Sequence, residues 1–121
     1  TGNRYTQVTL DSDMRPLVTV PETGEKLPAS QPGSLSCATR EQVFLAARLG
    51  IIEFLWPDGG PPLLMDDPLV NFDSDRRAAA LKVIKELAAS RQVILFTCGH
   101  DYDHAADRVV ALAQVNEPMR R

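Results

Sequence analysis

The chain has 121 residues, of which 44% are hydrophobic and 24% are charged, and its net charge is -3. This length suits one domain with a packed core and is too short for two. The slight negative charge argues against a chain that is wholly a nucleic-acid-binding patch. The two cysteines, Cys37 and Cys98, form neither a disulfide framework nor a zinc site, and no apolar run reaches membrane-spanning length. We therefore expect a cytoplasmic protein without membrane contact. Because the chain opens on Thr1 rather than methionine, we also expect a piece of something longer.

The N-terminal segment predicts a β-hairpin followed by a loop. Residues 4–10 alternate in the manner of a strand, residues 16–20 form a second short strand, and a turn at Asp11-Ser12-Asp13 lies between them. The stretch 27–33 is rich in proline, serine and glycine, so we predict a loop there.

Residues 35–56 predict one long helix. Ser36 or Thr39 can cap its start, Thr39 and Gln42 have the spacing of a capping box, and Pro57 closes its far end. Most positions from Val43 onward are apolar, which indicates a helix buried in a core. The start of such a helix carries unpaired N–H groups and a positive dipole end, which favour an anion. The alternative is a capped core helix that binds nothing.

Residues 63–67 predict a buried strand that delivers two carboxylates to the edge of a sheet. The apolar run Leu63-Leu64-Met65 ends in Asp66 and Asp67, and Pro68 stops the strand because it cannot donate to a ladder. Two adjacent carboxylates are costly unless a cation lies beside them. In a phosphate-handling protein that cation is usually Mg²⁺. The alternative is a strand end followed by an acidic turn.

The remaining sequence completes a strand–helix–strand unit. Residues 75–89 predict a helix with Ser74 as its cap, and residues 92–97 predict a strand buried on both faces, as in parallel sheets. A short helix or turn follows at 101–106, and residues 108–112 read as another strand, with a helix as the alternative.

Three features with possible chemical roles occur at the ends of these predicted elements: the helix start at Ser36, the paired acids and His100. The second strand ends near His100, and the first strand ends at Asp66 and Asp67. In open α/β sheets, ligands bind beyond the carboxyl ends of the strands. We therefore expect the acids and the histidine at one edge, together with the helix start at Ser36, and we interpret His100 as a γ-phosphate sensor.

These residues resemble four motifs of the ABC-type ATPases in the SMC/RecF/SbcC group. The similarity is greatest to the C-terminal lobe of YhaN-like large bacterial ATPases and extends from Tyr5 to Leu112. In chain order the motifs are a signature motif at Leu35-Ser36-x-x-Thr39-Arg40-Glu41-Gln42, a Walker B strand at 63–67, a D-loop at Val70-Asn71-Phe72-Asp73 and a switch-histidine strand at Phe96-Thr97-Cys98-Gly99-His100.

The resemblance implies an α/β fold that is the C-terminal half of a P-loop (ABC-type) ATPase head. Parallel strands flanked by helices would follow an N-terminal β-hairpin. The whole of 1–121 would be one partial domain, with the hairpin and loop at 4–34, the signature helix at 35–56 and the Walker B, D-loop and switch-histidine region at 63–112.

The resemblance also implies a role for each matched residue. Asp66 would act on Mg²⁺, Asp67 would polarise the attacking water, and His100 would contact the γ-phosphate of ATP. Ser36 would contact the γ-phosphate of ATP held by a second head. The other implied cofactor-binding residues are Cys37, Ala38, Gln42 and Asp73. Asp73 would shape the dimer contact, whereas Gln42 and its neighbour Arg40 would either bind nucleotide or stabilise the signature helix.

The sequence departs from the family pattern at several positions. It has no G-x-x-x-x-G-K-[ST] loop to cradle phosphates. Ala38 stands where glycine is usual, and Asp67 replaces the glutamate of most ABC ATPases. Gly99 adds a residue before His100, which shifts the alignment of the sensor by one position. His104 is the less favoured candidate for the same role.

The missing loop implies that ATP hydrolysis requires partners. These would be an N-terminal ATPase lobe with a Walker A loop and a second head in a head-to-head dimer, with DNA as a further partner by family analogy. The complete head would then be an ATPase in DNA repair or chromosome maintenance. The alternative is a non-catalytic, degenerate lobe that serves as a dimerisation or interaction module.

Overall fold

The structure, a computed structural model, describes residue 5, residues 7–31, residue 33 and residues 35–112. Within these residues a three-stranded sheet is followed by a long helix and then by a strand–helix–strand unit. In chain order the elements are β1 (Val8–Leu10), β2 (Pro16–Thr19), β3 (Lys26–Pro28), α1 (Cys37–Leu55), β4 (Leu63–Asp66), α2 (Ser74–Ala88), β5 (Val93–Phe96) and a short 3₁₀ helix (Asp103–Ala105).

The N-terminal sheet is an antiparallel meander with β2 at its centre. The predicted hairpin of β1 and β2 is confirmed, but the prediction of a loop at 27–33 is wrong at its start, because Leu27 and Pro28 pair with β2. Proline is tolerated there because β3 is an edge strand. The meander packs on the first half of α1 through a small core of Val18, Ala29 and Val43.

Helix α1 is less buried than its apolar sequence predicts. Ser36 caps its start, Trp56 ends it, and the buried Arg91 donates from Nη2 to the Trp56 carbonyl oxygen across 2.7 Å. The prediction of a wholly buried helix is wrong, since Phe54 is 84% exposed. The described residues cover one side of α1 only, so much of its apolar surface remains accessible.

The unit formed by β4, α2 and β5 carries the main core. The two strands pair in parallel, with Leu63 opposite Val93 and Asp66 opposite Phe96, as predicted. The burial predicted for both faces of β5 is wrong, because the sheet has two strands among the described residues and Phe96 is exposed. The core itself consists of Leu49, Met65, Leu69, Phe72, Leu81, Ile84, Leu87 and Tyr102.

The segment after β5 differs from the sequence prediction at its end. The 3₁₀ helix falls within the short helix or turn predicted at 101–106. Residues 108–112, however, are neither strand nor helix, and Leu112 is 80% exposed. A strand needs a neighbour for its backbone groups, and neither β4 nor β5 pairs with this segment. In the part of the chain that the structure describes, neither α-helix has the length and apolarity to cross a membrane.

Candidate active site

The two carboxylates predicted at the end of a strand lie where β4 stops. Asp66 is the last residue of β4 and is exposed, whereas Asp67 is half-buried and donates its backbone N–H to the Phe96 carbonyl oxygen at 2.9 Å. Asp67 has a φ of 39°, a left-handed conformation that costs a non-glycine residue about 1–2 kcal/mol. Residues held in such a strained conformation cluster at functional sites.

Cys98 lies against the second carboxylate, a contact that sequence reasoning missed. Its thiol donates to Asp67 Oδ2 across 3.4 Å, and the two residues are 31 positions apart in the chain. Cys98 is exposed and free. The parallel pairing of β4 and β5 explains the contact, because it places the ends of the two strands side by side.

Ser36 is the N-cap of α1. Its hydroxyl accepts from the Thr39 backbone N–H at 3.3 Å and shares a 2.8 Å hydrogen bond with the Thr39 hydroxyl. The alternative prediction, with Thr39 as cap and Gln42 completing the box, is therefore wrong. Ser36 and Cys37 are both exposed at the start of α1, although the Ser36 hydroxyl is engaged within the helix.

Ala38 and Gln42 also lie in the first turns of α1. Ala38 is helical, and among the described non-glycine residues only Met14 and Asp67 have positive φ, so the Cβ of Ala38 brings no backbone strain. Gln42 has a buried Oε1 that no described group meets with a hydrogen bond.

A cleft of about 510 Å³ lies between α1 and β4. Asp66 and Asp67 line it from the strand, and Arg40, Glu41 and Arg48 line it from the helix. The structure thus places the predicted acids in a cleft whose other wall is the middle of α1, from Arg40 to Ile52. Ser36, Asp73 and His100 are not among the residues that line the cleft. The apolar part of its lining is Phe44, Leu45, Leu49, Ile52, Leu63, Leu64, Met65, Pro68 and Val70.

The loop from Asp67 to Asp73 is held at both ends. Asp73 caps α2 by accepting from the Arg76 backbone N–H at 2.9 Å, so the prediction of Ser74 as cap is wrong by one residue. In the middle of the loop, Asn71 donates from Nδ2 to Glu41 Oε1 and Oε2 at 2.8 and 3.0 Å. Sequence reasoning missed this contact, which connects the loop to α1.

His100 follows β5 on an exposed loop, with its side chain 94% exposed. Its Nδ1 lies 2.9 Å from Asp103 Oδ2, which orients the ring. Arg77 anchors the same loop through Asp101 and stacks over Tyr102, whose ring lies 5.8 Å from the guanidinium carbon. Burial raises the pKa of Tyr102 above its ordinary value. His104 is exposed as well.

The residues present fit a Mg²⁺ ion that is held jointly with a nucleotide. No group of three or more histidine, cysteine, aspartate or glutamate side chains among the described residues could hold a metal ion alone. Mg²⁺ in nucleotide sites is bound through one or two carboxylates plus substrate phosphates. The exposed carboxylate of Asp66 supplies such a ligand, and Asp67 follows it directly.

Comparisons with known proteins agree with this architecture at the level of the fold. No family model matches the chain, and no curated protein matches it. The chain is similar to a solved structure from work on ATP-driven dimerization and DNA-stimulated activation of SMC ATPases. The two are 17% identical in sequence and superpose with a TM-score of 0.68. The alignment covers 91% of this chain and 66% of that one. The chain therefore shares the α/β fold of this SMC ATPase structure.

Proposed function

We propose that the chain is the signature and Walker B lobe of an SMC-like ABC ATPase head, of the YhaN-like type. One observation carries this proposal: Asp66 and Asp67, at the end of β4, line a cleft whose other wall is α1 from Arg40 to Ile52. In an SMC-type fold, this arrangement would place Asp66, the proposed metal ligand, and Asp67, the proposed water-orienting residue, beside α1. Helix α1 is the helix that would face a second head.

The residues of this chain divide the chemistry of ATP hydrolysis among them. A Mg²⁺ bound at Asp66 would neutralise developing charge on the phosphates. Asp67 accepts a hydrogen bond from the attacking water and orients it toward the γ-phosphate, with Cys98 bonded to its other side. His100 contacts the γ-phosphate from the neighbouring strand end. Catalysis of this kind consists mainly of positioning and electrostatic stabilisation.

The first partner in this proposal is an N-terminal lobe that supplies the Walker A loop. The accessible β4 side of the cleft, where Leu64 is 62% exposed, offers an apolar surface for that lobe. The second partner is another head, to whose ATP Ser36, Cys37 and Ala38 at the start of α1 would bind, with Asp73 at the dimer contact. The domain limits at 4–34, 35–56 and 63–112 belong to the same proposal.

The cellular role that we propose is DNA repair or chromosome maintenance in the cytoplasm. The role in DNA maintenance is supported by the description of the structural neighbour, which names DNA-stimulated activation. The cytoplasmic compartment is supported by Cys37 and Cys98, which are both free and exposed. Free exposed thiols are typical of a reducing compartment.

The proposed activity is tested with the chain combined with its Walker A lobe. We expect ATP hydrolysis and ATP-dependent dimerisation, and we expect Asp67→Asn to abolish turnover while the dimer persists with bound ATP. Asp58→Asn, a change at an exposed acid before β4, is the matched control and should retain turnover. Unchanged turnover in Asp67→Asn would remove this residue from the catalytic role.

The second candidate function is a non-catalytic interaction module. The Ser36 hydroxyl favours it, because both of its hydrogen bonds are made within its own helix. Such a module would dimerise without turning over ATP. Hydrolysis by the reconstituted head that Ser36→Arg abolishes would eliminate this candidate.

A further inference from the structure

The described chain has two hydrophobic cores, and α1 is shared between them. Val43, in the first half of α1, packs into the small core under the N-terminal meander. Leu49, nearly two turns later, packs into the main core with Leu69 and Phe72. The first turn of α1 therefore belongs with the meander, whereas the loop that follows β4 belongs with the β4–α2–β5 unit.

One polar contact connects the first turns of α1 to that loop. The Asn71 amide donates to both carboxylate oxygens of Glu41, and the two residues are 30 positions apart. Hydrogen bonds to an ionised carboxylate are roughly twice as strong as neutral ones. The Cys37 thiol adds a weaker contact to Glu41 Oε1 at 3.6 Å, which extends the connection to the first residue of α1.

The loop on the other side of this contact is tied to the candidate catalytic residues. Its first residue, Asp67, is hydrogen-bonded to the Phe96 carbonyl oxygen and to the Cys98 thiol, and its last residue, Asp73, caps α2. The segment is therefore fixed at each end, Leu69 and Phe72 hold its middle in the main core, and Asn71 adds a polar attachment to α1. A displacement of the start of α1 would thus reach the loop through Glu41 and Asn71, beside the contact that Leu49 makes with Leu69 and Phe72 in the main core.

We propose that Glu41 and Asn71 are positioning residues that make the start of α1 and the loop 67–73 move as one unit. This inference rests on the proposed function. When a second head binds at Ser36, the contact transmits the movement of α1 to Asp67 of the same chain, the residue that orients the water. Neither residue touches nucleotide in this role.

The contact can be broken and rebuilt by exchanging its donor and acceptor. Asn71→Asp places a carboxylate against that of Glu41 and removes the donor. Glu41→Gln leaves an amide oxygen that still accepts from Asn71. The double change, Glu41→Gln with Asn71→Asp, restores a donor and a carboxylate with the polarity reversed. Gln92→Glu, at an exposed position before β5, is the matched control for an added negative charge.

Hydrogen exchange of the full chain, followed by mass spectrometry, tests the mechanical part. We expect Asn71→Asp to speed exchange roughly tenfold both in 37–41 and in 67–73, the scale of losing a hydrogen bond to a charged group. The double change and Gln92→Glu should stay within roughly twofold of the parent chain, because the first rebuilds the contact and the second leaves it intact. Glu41→Gln keeps one acceptor for Asn71 and should fall between these and Asn71→Asp. Faster exchange confined to 67–73, or no recovery in the double change, would overturn the proposal.

Turnover of the head reconstituted with its Walker A lobe tests the reporting part. We expect Asn71→Asp to lower kcat while the KM for ATP stays unchanged, and the double change to recover kcat. A purely structural contact would alter exchange and leave kcat unaltered, which also overturns the proposal. If the parent head hydrolyses no ATP, the proposed function fails, and the exchange result alone decides whether Glu41 couples to Asn71.

Discussion

Arg77 in α2 donates from Nη1 to Asp101 Oδ2 across 2.8 Å, in the loop that carries His100. The same guanidinium donates from Nη2 to the Phe72 carbonyl oxygen at 3.1 Å, in the loop that carries Asp73. One side chain of a core helix thus joins the loops that follow β4 and β5. The two ends of the candidate active site share this support.

Loss of Arg77 should loosen both loops. We expect Arg77→Met to lower the free energy of unfolding by about 1–2 kcal/mol, because the Phe72 carbonyl oxygen loses its partner in a partly buried place. Urea denaturation followed by circular dichroism measures the change. The control is Lys82→Met on the same helix, where the side chain is exposed. An equal loss in the control would assign the effect to helix α2 as a whole.

Ser36 combines a structural role with a proposed ligand role, and two substitutions separate them. Ser36→Ala should cost about 1 kcal/mol of stability, because the N-cap acceptor is lost. Ser36→Asp should retain the parent stability, since aspartate caps as well as serine. In the reconstituted head, Ser36→Asp should nevertheless abolish ATP-dependent dimerisation through repulsion of the γ-phosphate. Size-exclusion chromatography with ATP gives the measurement, and normal dimerisation would exclude a phosphate contact at Ser36.

The turn before β4 requires glycine at position 59. Gly59 has a φ of 112°, and a Cβ there would lie 2.7 Å from the Ser90 carbonyl oxygen. We expect Gly59→Ala to destabilise the chain by about 1–3 kcal/mol, the cost of a strained residue. Gly50→Ala inside α1 is the opposite control, because its Cβ meets nothing within 4 Å. It should stabilise by about 0.5–1 kcal/mol. Thermal unfolding measures the stability of both variants. A higher unfolding midpoint for Gly59→Ala than for Gly50→Ala would contradict the prediction.

Burial of Tyr102 predicts a loss of stability in alkaline solution. Its pKa is raised above the ordinary value of 10.0 by burial, and the raised pKa means that the folded state holds the proton more tightly than the unfolded state. The stabilisation is complete below pH 10.0 and is lost as the pH rises through the folded-state pKa. We expect Tyr102→Phe to flatten the dependence of the unfolding midpoint on pH above pH 10.0. An identical slope in parent and variant would contradict the prediction.

Local sequence patterns predicted the elements that carry the candidate site. The run Leu63-Leu64-Met65 before two acids predicted β4, and the Val-Ile-Leu-Phe run predicted β5. Helix α2 was misplaced by one residue at its start, because Asp73 and Ser74 are adjacent residues that can each cap a helix. The strand predicted at 108–112 was wrong because an apolar pattern contains no information on whether a pairing neighbour is present.

The contacts between distant residues could not be predicted in the same way. Cys98 and Asp67 meet because β4 and β5 run in parallel, and Asn71 and Glu41 meet because α1 lies beside the end of β4. Both contacts depend on tertiary packing. The left-handed conformation of Asp67 could not be predicted either, because no residue preference favours a positive φ directly before proline.

The two-stranded sheet of β4 and β5 affects how a cell can make and keep this chain. Among the described residues neither strand has a second neighbour, and unpaired strands with exposed apolar side chains are templates for association with other chains. We expect the chain made alone to form oligomers or to be degraded, and the chain made together with a covering lobe to accumulate. Its abundance would then follow the supply of that lobe, so synthesis of the two parts would need to be matched.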